Sequence, residues 1–292
     1  LDIRAFDAVI TPETFDRPEL TFRVEQCHSD EKPARLRGIL QSLPAHFGRT
    51  WQVFQHPREG DAWPGMVFCP HVNWKFGIVE VARQITEELG LSARCYSGSA
   101  PKGIHTERWH VLKRAAARDF KRDATTLMVA TRAFGMGIDK PNVRYTIHYG
   151  IPPSIESFYQ EAGRAGRDRQ QAICTIIASN DNPRRTARLL SDDLSIEEVS
   201  EEVEAAGFEE ADDVTRMLYF QTQAFKGVDK EISRIEAVLR ELGDCSSSYT
   251  KSIAVAPDLR RCEKALHRLL TVGFVEDYTV DYSHDRCEVP GI

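Results

Sequence analysis

Short apolar runs alternate with amphipathic stretches over the first two-thirds of the chain, and this alternation decides the fold class. Residues 65–69, Gly65-Met66-Val67-Phe68-Cys69, read as a short buried strand. Residues 76–89 follow as an amphipathic helix that Gly90 stops. Residues 93–96 predict a strand, and 106–122 a helix with Trp109, Leu112, Ala116 and Phe120 near helical spacing. Strands are expected again at 126–130 and 143–149, then a helix at 155–165 and a last strand at 172–178. Strands that alternate with helices predict an α/β fold with a parallel, doubly wound sheet.

Residues 48–64 fit neither period and hold two prolines and two tryptophans, so a long loop or insertion is expected there. After Asn180-Asp181-Asn182-Pro183 the pattern changes. Residues 214–225 and 229–242 read as helices, the second with Ile232, Ile235, Val238 and Leu239 as an apolar stripe. Residues 258–272 make a third, capped by Asp258 after Pro257, and 274–282 have strand propensity. Helices followed by a hairpin-like strand suggest a winged helix. The expected organisation is therefore an α/β domain over 1–182, an acidic linker or helical segment over 183–213, and a smaller helical, winged-helix-like domain over 214–292.

The net charge of −6 argues against DNA binding by bulk charge, yet its distribution is uneven. Residues 102–122 are rich in Lys and Arg, whereas 192–213 carry many Asp and Glu and neither basic residue. No apolar run approaches the roughly 20 residues of a membrane span, and Asp2, Arg4 and Asp7 in the first residues make a signal peptide there unexpected. The seven cysteines include no C-x-x-C pair, which gives a zinc site no support and suggests a reducing cytoplasm. Leu1 opens what reads as mid-protein sequence, so a piece of a longer chain is expected.

Three segments carry chemistry. In Gln160-Glu161-Ala162-Gly163-Arg164-Ala165-Gly166-Arg167-Asp168, a helix would project Gln160, Arg164 and Arg167 from one face. Two neighbouring guanidinium groups repel unless an anion sits opposite, and a polyphosphate is such an anion. A solvated basic helix end fits the same spacing. In Thr131-Arg132-Ala133-Phe134-Gly135-Met136-Gly137-Ile138-Asp139, a strand end opens into a loop where Gly135 and Gly137 can offer backbone N–H groups to a phosphate and Asp139 can accept from a ribose hydroxyl. A plain tight turn is the competing reading. In residues 96–103, Gly98 and Gly103 have P-loop separation, but Ile104-His105 stands where Lys-Ser/Thr is required. Ser97, Ser99 and Lys102 there can touch a nucleic-acid backbone, or simply form a surface turn.

Taken together, Phe68-Cys69, the 96–103 loop, Ala130 through Pro141 and Gln160 through Arg167 resemble motifs IV, IVa, V and VI of RecQ-like superfamily 2 DNA helicases, in that order, over roughly residues 16–179. The resemblance implies that this is the second RecA-like motor domain. It implies that Arg167 is the arginine finger on the ATP γ-phosphate, Arg164 its companion, and Gln160 a nucleotide and interdomain contact. It implies a ribose or coupling contact for Asp139, with Thr131 and Gly135 near the DNA phosphates and Lys102, in a loop that varies, a looser match. It further implies ATP-driven 3′ to 5′ stepping along single-stranded or partly duplex DNA, as in DNA repair and recombination.

Departures matter equally. No G-x-x-x-x-G-K-[ST] and no Asp-Glu-x-His occurs, so ATP and Mg2+ are expected on a first RecA-like domain of the same polypeptide, and this chain alone is expected to be inactive. The helical 214–242 segment stands where the family has a four-cysteine zinc module, as in a divergent, zinc-free branch. Arg260, Arg261 and Lys264 on the third C-terminal helix can meet DNA phosphates, or form an ordinary exposed face. A non-catalytic nucleic-acid or protein binding module and an RNA helicase domain are the alternatives.

Overall fold

The computed structural model describes residues 16–55, 62–135, 139–207, 211–225, 227–243, 251–253, 259–282, 284 and 286–290. Gly137, Pro257 and Asp258 lie outside them. The chain divides into two compact units, Leu1–Thr186 with Ala211–Met217, and Ala187–Glu210 with Leu218–Ile292.

The first unit is built in chain order from β1 (Leu20–Cys27), α1 (Lys32–His46), α2 (Trp51–Gln55), β2 (Gly65–Phe68), α3 (Ile78–Leu89), β3 (Ala93–Tyr96), α4 (Thr106–Lys121), β4 (Leu127–Ala130), β5 (Tyr145–His148), α5 (Ile155–Ala162) and β6 (Ala172–Ser179). Its six strands form one all-parallel sheet, in the order β1-β6-β5-β2-β4-β3. The inner strands β2, β4 and β5 are buried on both faces, which is why β2 and β4 read as continuous apolar runs, while β5 also buries Thr146 and His148. Val67, Val129 and Ile147 face a core shared with Leu36 and Leu40 of α1 and Ile78 and Val81 of α3. Met66, Phe68 and Met128 face the opposite core, with Phe120 of α4 and Ala162 of α5. Period-two alternation thus sends successive side chains into two helical layers. Gly65 is required where β2 meets β5, since a Cβ there would lie 2.1 Å from the Tyr145 ring.

Helix ends follow local chemistry. Ser154 caps α5 by accepting from Ser157 N at 3.1 Å. Gly90, with φ 66°, closes α3 in the left-handed region. Two expectations are corrected. Residues 48–64 are not simply a loop: α2 forms there, and buried Phe54 stacks near Trp63 and Tyr145, so the tryptophans belong to a packed aromatic cluster. The helix expected to Ala165 stops at Ala162, because Gly163 and Gly166 lead the chain into a turn. β1 and α1 were not foreseen as separate elements.

The chain continues with α6 (Pro183–Leu189), α7 (Ile196–Ala205), α8 (Asp213–Ala224), α9 (Val228–Leu242), β7 (Lys251–Ile253), α10 (Leu259–Thr271), β8 (Thr279–Asp281) and β9 (Arg286–Val289). The acidic stretch carries α7, opened by a capping box between Ser195 and Glu198. In the second unit, α9 and α10 share a core of Val238, Leu242, Cys262, Leu266, Leu269 and Cys287 with an antiparallel sheet ordered β7-β9-β8. The strand expected over 274–282 is shorter, covering only Thr279–Asp281.

Candidate nucleotide and nucleic-acid site

In a parallel sheet every strand ends on one edge and starts on the other, so topology sorts the candidate residues into two groups. At the carboxyl edge lie the loops after β2, β3 and β4, which hold Ser97, Lys102, Thr131 and Gly135. At the amino edge lies the turn after α5, because α5 runs back across the sheet before β6 begins. Gly166 N donates to Val143 O at 2.9 Å, two residues ahead of β5, which fixes the turn on that edge.

The turn is clamped from several sides. The guanidinium of Arg17, ahead of β1, donates to Ala165 O at 2.8 Å and to Gly163 O at 3.3 Å. Arg144 binds Asp168 through two bonds of 2.9 and 2.5 Å, and Glu161 joins buried His148 of β5 at 2.9 Å. The Arg144 hydrogen bond holds the Asp168 carboxyl below the usual carboxylate range, against some burial. Gly166 takes φ 61°, and a Cβ there would stand 2.9 Å from Gln170 O. Arg17, Arg144 and His148 escaped sequence reasoning. Their signals were slight: single charged or polar residues at strand ends, with partners found only in the fold.

Gln160, Arg164 and Arg167 therefore do not share a helical face, which corrects the spacing argument. Gln160 is exposed on α5, whereas both arginines sit on the turn beyond it. Arg164 is half-buried, and its buried Nε finds no hydrogen-bond partner among the described residues. Burial lowers its pKa, with the like charge of Arg167 adding to the effect and Glu161 opposing it. Arg167 reaches Asp139 Oδ1 at 3.0 Å, with the two side chains 36 % and 87 % exposed. An ion pair so open to water is weak and open to exchange with a competing anion. The pair brings together two candidates that the sequence separates by 28 residues.

At the carboxyl edge the picture is mixed. Ser97 is fully buried, and its hydroxyl donates to Ser99 O at 2.6 Å. Its hydroxyl shapes the loop from within, contrary to the expected phosphate contact. Lys102 is exposed, with its backbone N–H on Asn73 Oδ1 at 2.9 Å. Thr131 is half-buried, its N–H bonded to Tyr96 O at 3.1 Å. Gly135 closes the short helical turn Arg132–Gly135 beside it. In the second unit Arg260, Arg261 and Lys264 are exposed on α10. Among the described residues no three His, Cys, Asp or Glu side chains gather as a metal would require, and no helix is long and apolar enough to cross a membrane.

The first unit is thus an all-parallel, six-stranded sheet with Arg164 and Arg167 on the turn after α5. Residues 53–169 match the helicase conserved C-terminal domain family. The chain is 34 % identical over 176 residues to the ATP-dependent helicase wrn-1 of Caenorhabditis elegans, covering 60 % of this chain and 14 % of that protein. It is 33 % identical over 164 residues to the ATP-dependent DNA helicase RecQ of Haemophilus influenzae, covering 56 % and 22 %. Over 90 residues, 31 % of this chain and 10 % of the relative, it is 49 % identical to the ATP-dependent DNA helicase Q-like SIM of Arabidopsis thaliana. Among solved structures, Mss116p DEAD-box helicase domain 2 bound to an RNA duplex overlays with a TM-score of 0.42 at 14 % identity, over 66 % of this chain and 77 % of that one, too loosely to bear on function. Residues 53–169 thus match a helicase C-terminal domain and the chain is similar to RecQ-like helicases, though it spans about a quarter or less of these curated relatives.

Proposed function

We propose that this chain supplies the second motor domain of an ATP-dependent DNA helicase that steps 3′ to 5′ along single-stranded DNA. Arg167 is the arginine finger that stabilises charge on the transferred phosphoryl group. Arg164 assists it, Gln160 contacts the nucleotide side of the cleft, and Asp139 holds Arg167 until nucleotide replaces it. ATP with Mg2+ sits mainly on a first RecA-like domain of the same polypeptide and supplies the energy for closure of the two domains. Thr131 and Lys102 track the DNA backbone, and α10 with Arg260, Arg261 and Lys264 adds a winged-helix-like contact to duplex.

The observation that carries this reading is Arg164 and Arg167 side by side on one clamped turn, with a desolvated guanidinium nitrogen lacking a partner among the described residues. Two neighbouring cations, one of them with a buried Nε that has no partner among the described residues and the other in a solvent-exposed ion pair, fit a polyphosphate. In related nucleotidases such a finger contributes about 10³–10⁵ in rate. The names of the relatives favour DNA over RNA.

The test is unwinding by the polypeptide that joins this region to a P-loop domain. Duplex DNA with a 3′ single-stranded tail is expected to open with ATP, and a 5′-tailed duplex to stay closed. The 292-residue chain by itself is expected to turn over no ATP. Opening of 5′-tailed or RNA duplexes in preference would overturn the assignment.

A further inference from the structure

We infer that Trp74 is a base-stacking platform for single-stranded DNA at the carboxyl edge of the sheet, an inference that rests on the DNA-motor reading above. The residue lies in the loop 69–77 between β2 and α3, and nothing in its motif marks it. Two observations single it out. Its side chain is 63 % exposed, the largest type of apolar side chain left in water. Its backbone sits at φ 68°, in the left-handed region that bulky residues rarely adopt. Backbone preference does not account for tryptophan at this position, where glycine would sit without strain. A residue kept against local preference on a strand-end loop points to a task outside the fold.

The loop is rigid enough to present the indole. Gly77 N bonds Trp74 O at 3.0 Å, and Ile78 N bonds His71 O at 3.1 Å. The His71 ring meets the indole edge-on with centroids 5.9 Å apart. Gly77 cannot gain a Cβ without coming 2.3 Å from Asn73 O, so the turn is tight. Asn73 Oδ1 accepts from Lys102 N at 2.9 Å, which ties this loop to the one after β3. That second loop touches the one after β4, since a Cβ on Gly98 would lie 3.6 Å from Ala133 Cβ. A continuous band of loops therefore runs from Trp74 past Lys102 to Thr131 and exposed Arg132.

The charges along this band suit a phosphate backbone. Lys102 and Arg132 are exposed, and Lys113 reaches Gly98 O at 3.3 Å. Lys75, next to Trp74, is paired with Asp30 at 2.6 Å, the one carboxylate that faces it among the described contacts. An aromatic face beside a basic track is the arrangement that binds single strands without reading sequence, because every base has a face to stack. An apolar protein partner would gain nothing from the lysines.

The experiment measures anisotropy of a labelled oligothymidylate of about 15 nucleotides bound to the 292-residue chain. A second oligomer has the same backbone with abasic sites. Trp74→Gly is expected to weaken oligothymidylate binding roughly 5- to 150-fold, the range for loss of one stacked base. It is expected to bind the abasic oligomer as wild type does, and to melt at the same temperature or higher because the backbone strain is gone. Trp74→Phe should keep most of the affinity. Lys102→Ala should weaken both oligomers alike. Undiminished oligothymidylate binding by Trp74→Gly, or an equal loss on the abasic strand, overturns the platform while leaving the DNA reading intact. No binding by wild type to either oligomer overturns both.

Discussion

Arg144 grips Asp168 through two parallel bonds of 2.9 and 2.5 Å, and this pair fastens the turn that carries Arg164 and Arg167 to the start of β5. A planar fork on a carboxylate fixes orientation as well as distance. The catalytic reading of Arg167 therefore depends on a residue outside its own motif. Arg144→Lys keeps the charge and loses the fork. It is expected to lower unfolding stability by about 1–3 kcal/mol. Urea denaturation of both proteins measures this, and coincident midpoints would show that the fork contributes nothing.

Gly166 gives a second handle on the same turn. At φ 61°, with Gln170 O and the Glu19 side chain within 3.0 Å of where a Cβ would stand, alanine is strained and crowded. Gly166→Ala is expected to destabilise by roughly 1–2 kcal/mol, the left-handed backbone cost for a residue with a Cβ. Thermal unfolding is the check. A Tm at or above wild type would mean that the turn relaxes freely.

Lys32 and Asp213 form the most buried ion pair among the described residues of the first unit, 2.8 Å apart with 0 % and 3 % of their side chains exposed. Lys32 Nζ also donates to Tyr149 O, and Asp213 accepts from Ser179 N at 2.7 Å. Removing Lys32 leaves the buried Asp213 carboxylate with only the longer 3.4 Å contact to Arg216 as ionic partner. Lys32→Met is expected to cost about 3–5 kcal/mol. Adding Asp213→Asn should recover part of that loss, because the under-compensated buried carboxylate is gone, with Arg216 keeping its bond to Ala211 O. Chemical denaturation of the two single variants and the double completes the cycle; strictly additive losses would argue against direct coupling.

His71 predicts a pH effect. Burial, with Arg216 and Lys32 adding repulsion and Asp213 opposing, lowers its pKa from 6.5 to about 4. In the folded chain the ring stays neutral until about pH 4, whereas unfolded it takes a proton near 6.5. Between those values the unfolded state binds more protons, so stability falls as the solution is acidified through that window. His71→Asn is expected to flatten the slope of Tm against pH there. An unchanged slope would show that other groups carry the acid sensitivity.

The sheet was legible because its strands are short, mostly apolar and set off by glycine, β2 and β4 being wholly apolar. Residues 93–96 emerged with the bounds expected of them, between Gly90 and Gly98. β1 was hidden because this edge strand leaves Phe22 and Val24 in water, so its apolar residues do not mark a buried run. α2 was hidden by its length of five residues, where packing of Phe54 and not periodicity makes the helix. The arginines were found for a reason only partly right. Spacing of 160, 164 and 167 fits a helix, but Gly163 and Gly166 are stop signals, and it is the turn they create that sets the two guanidinium groups side by side. The clamp residues Arg17 and Arg144 were not legible, since their partners lie 24 to 148 residues away.

The central claim is that Arg167 acts on ATP held by another domain. The direct measurement is DNA-stimulated ATP hydrolysis by the polypeptide joining this region to a P-loop domain, with Arg167→Ala beside wild type. Turnover is expected to fall by about 10³ or more while ATP affinity changes little. Turnover within a factor of two or so of wild type, under about 0.5 kcal/mol of lost transition-state stabilisation, would contradict the account.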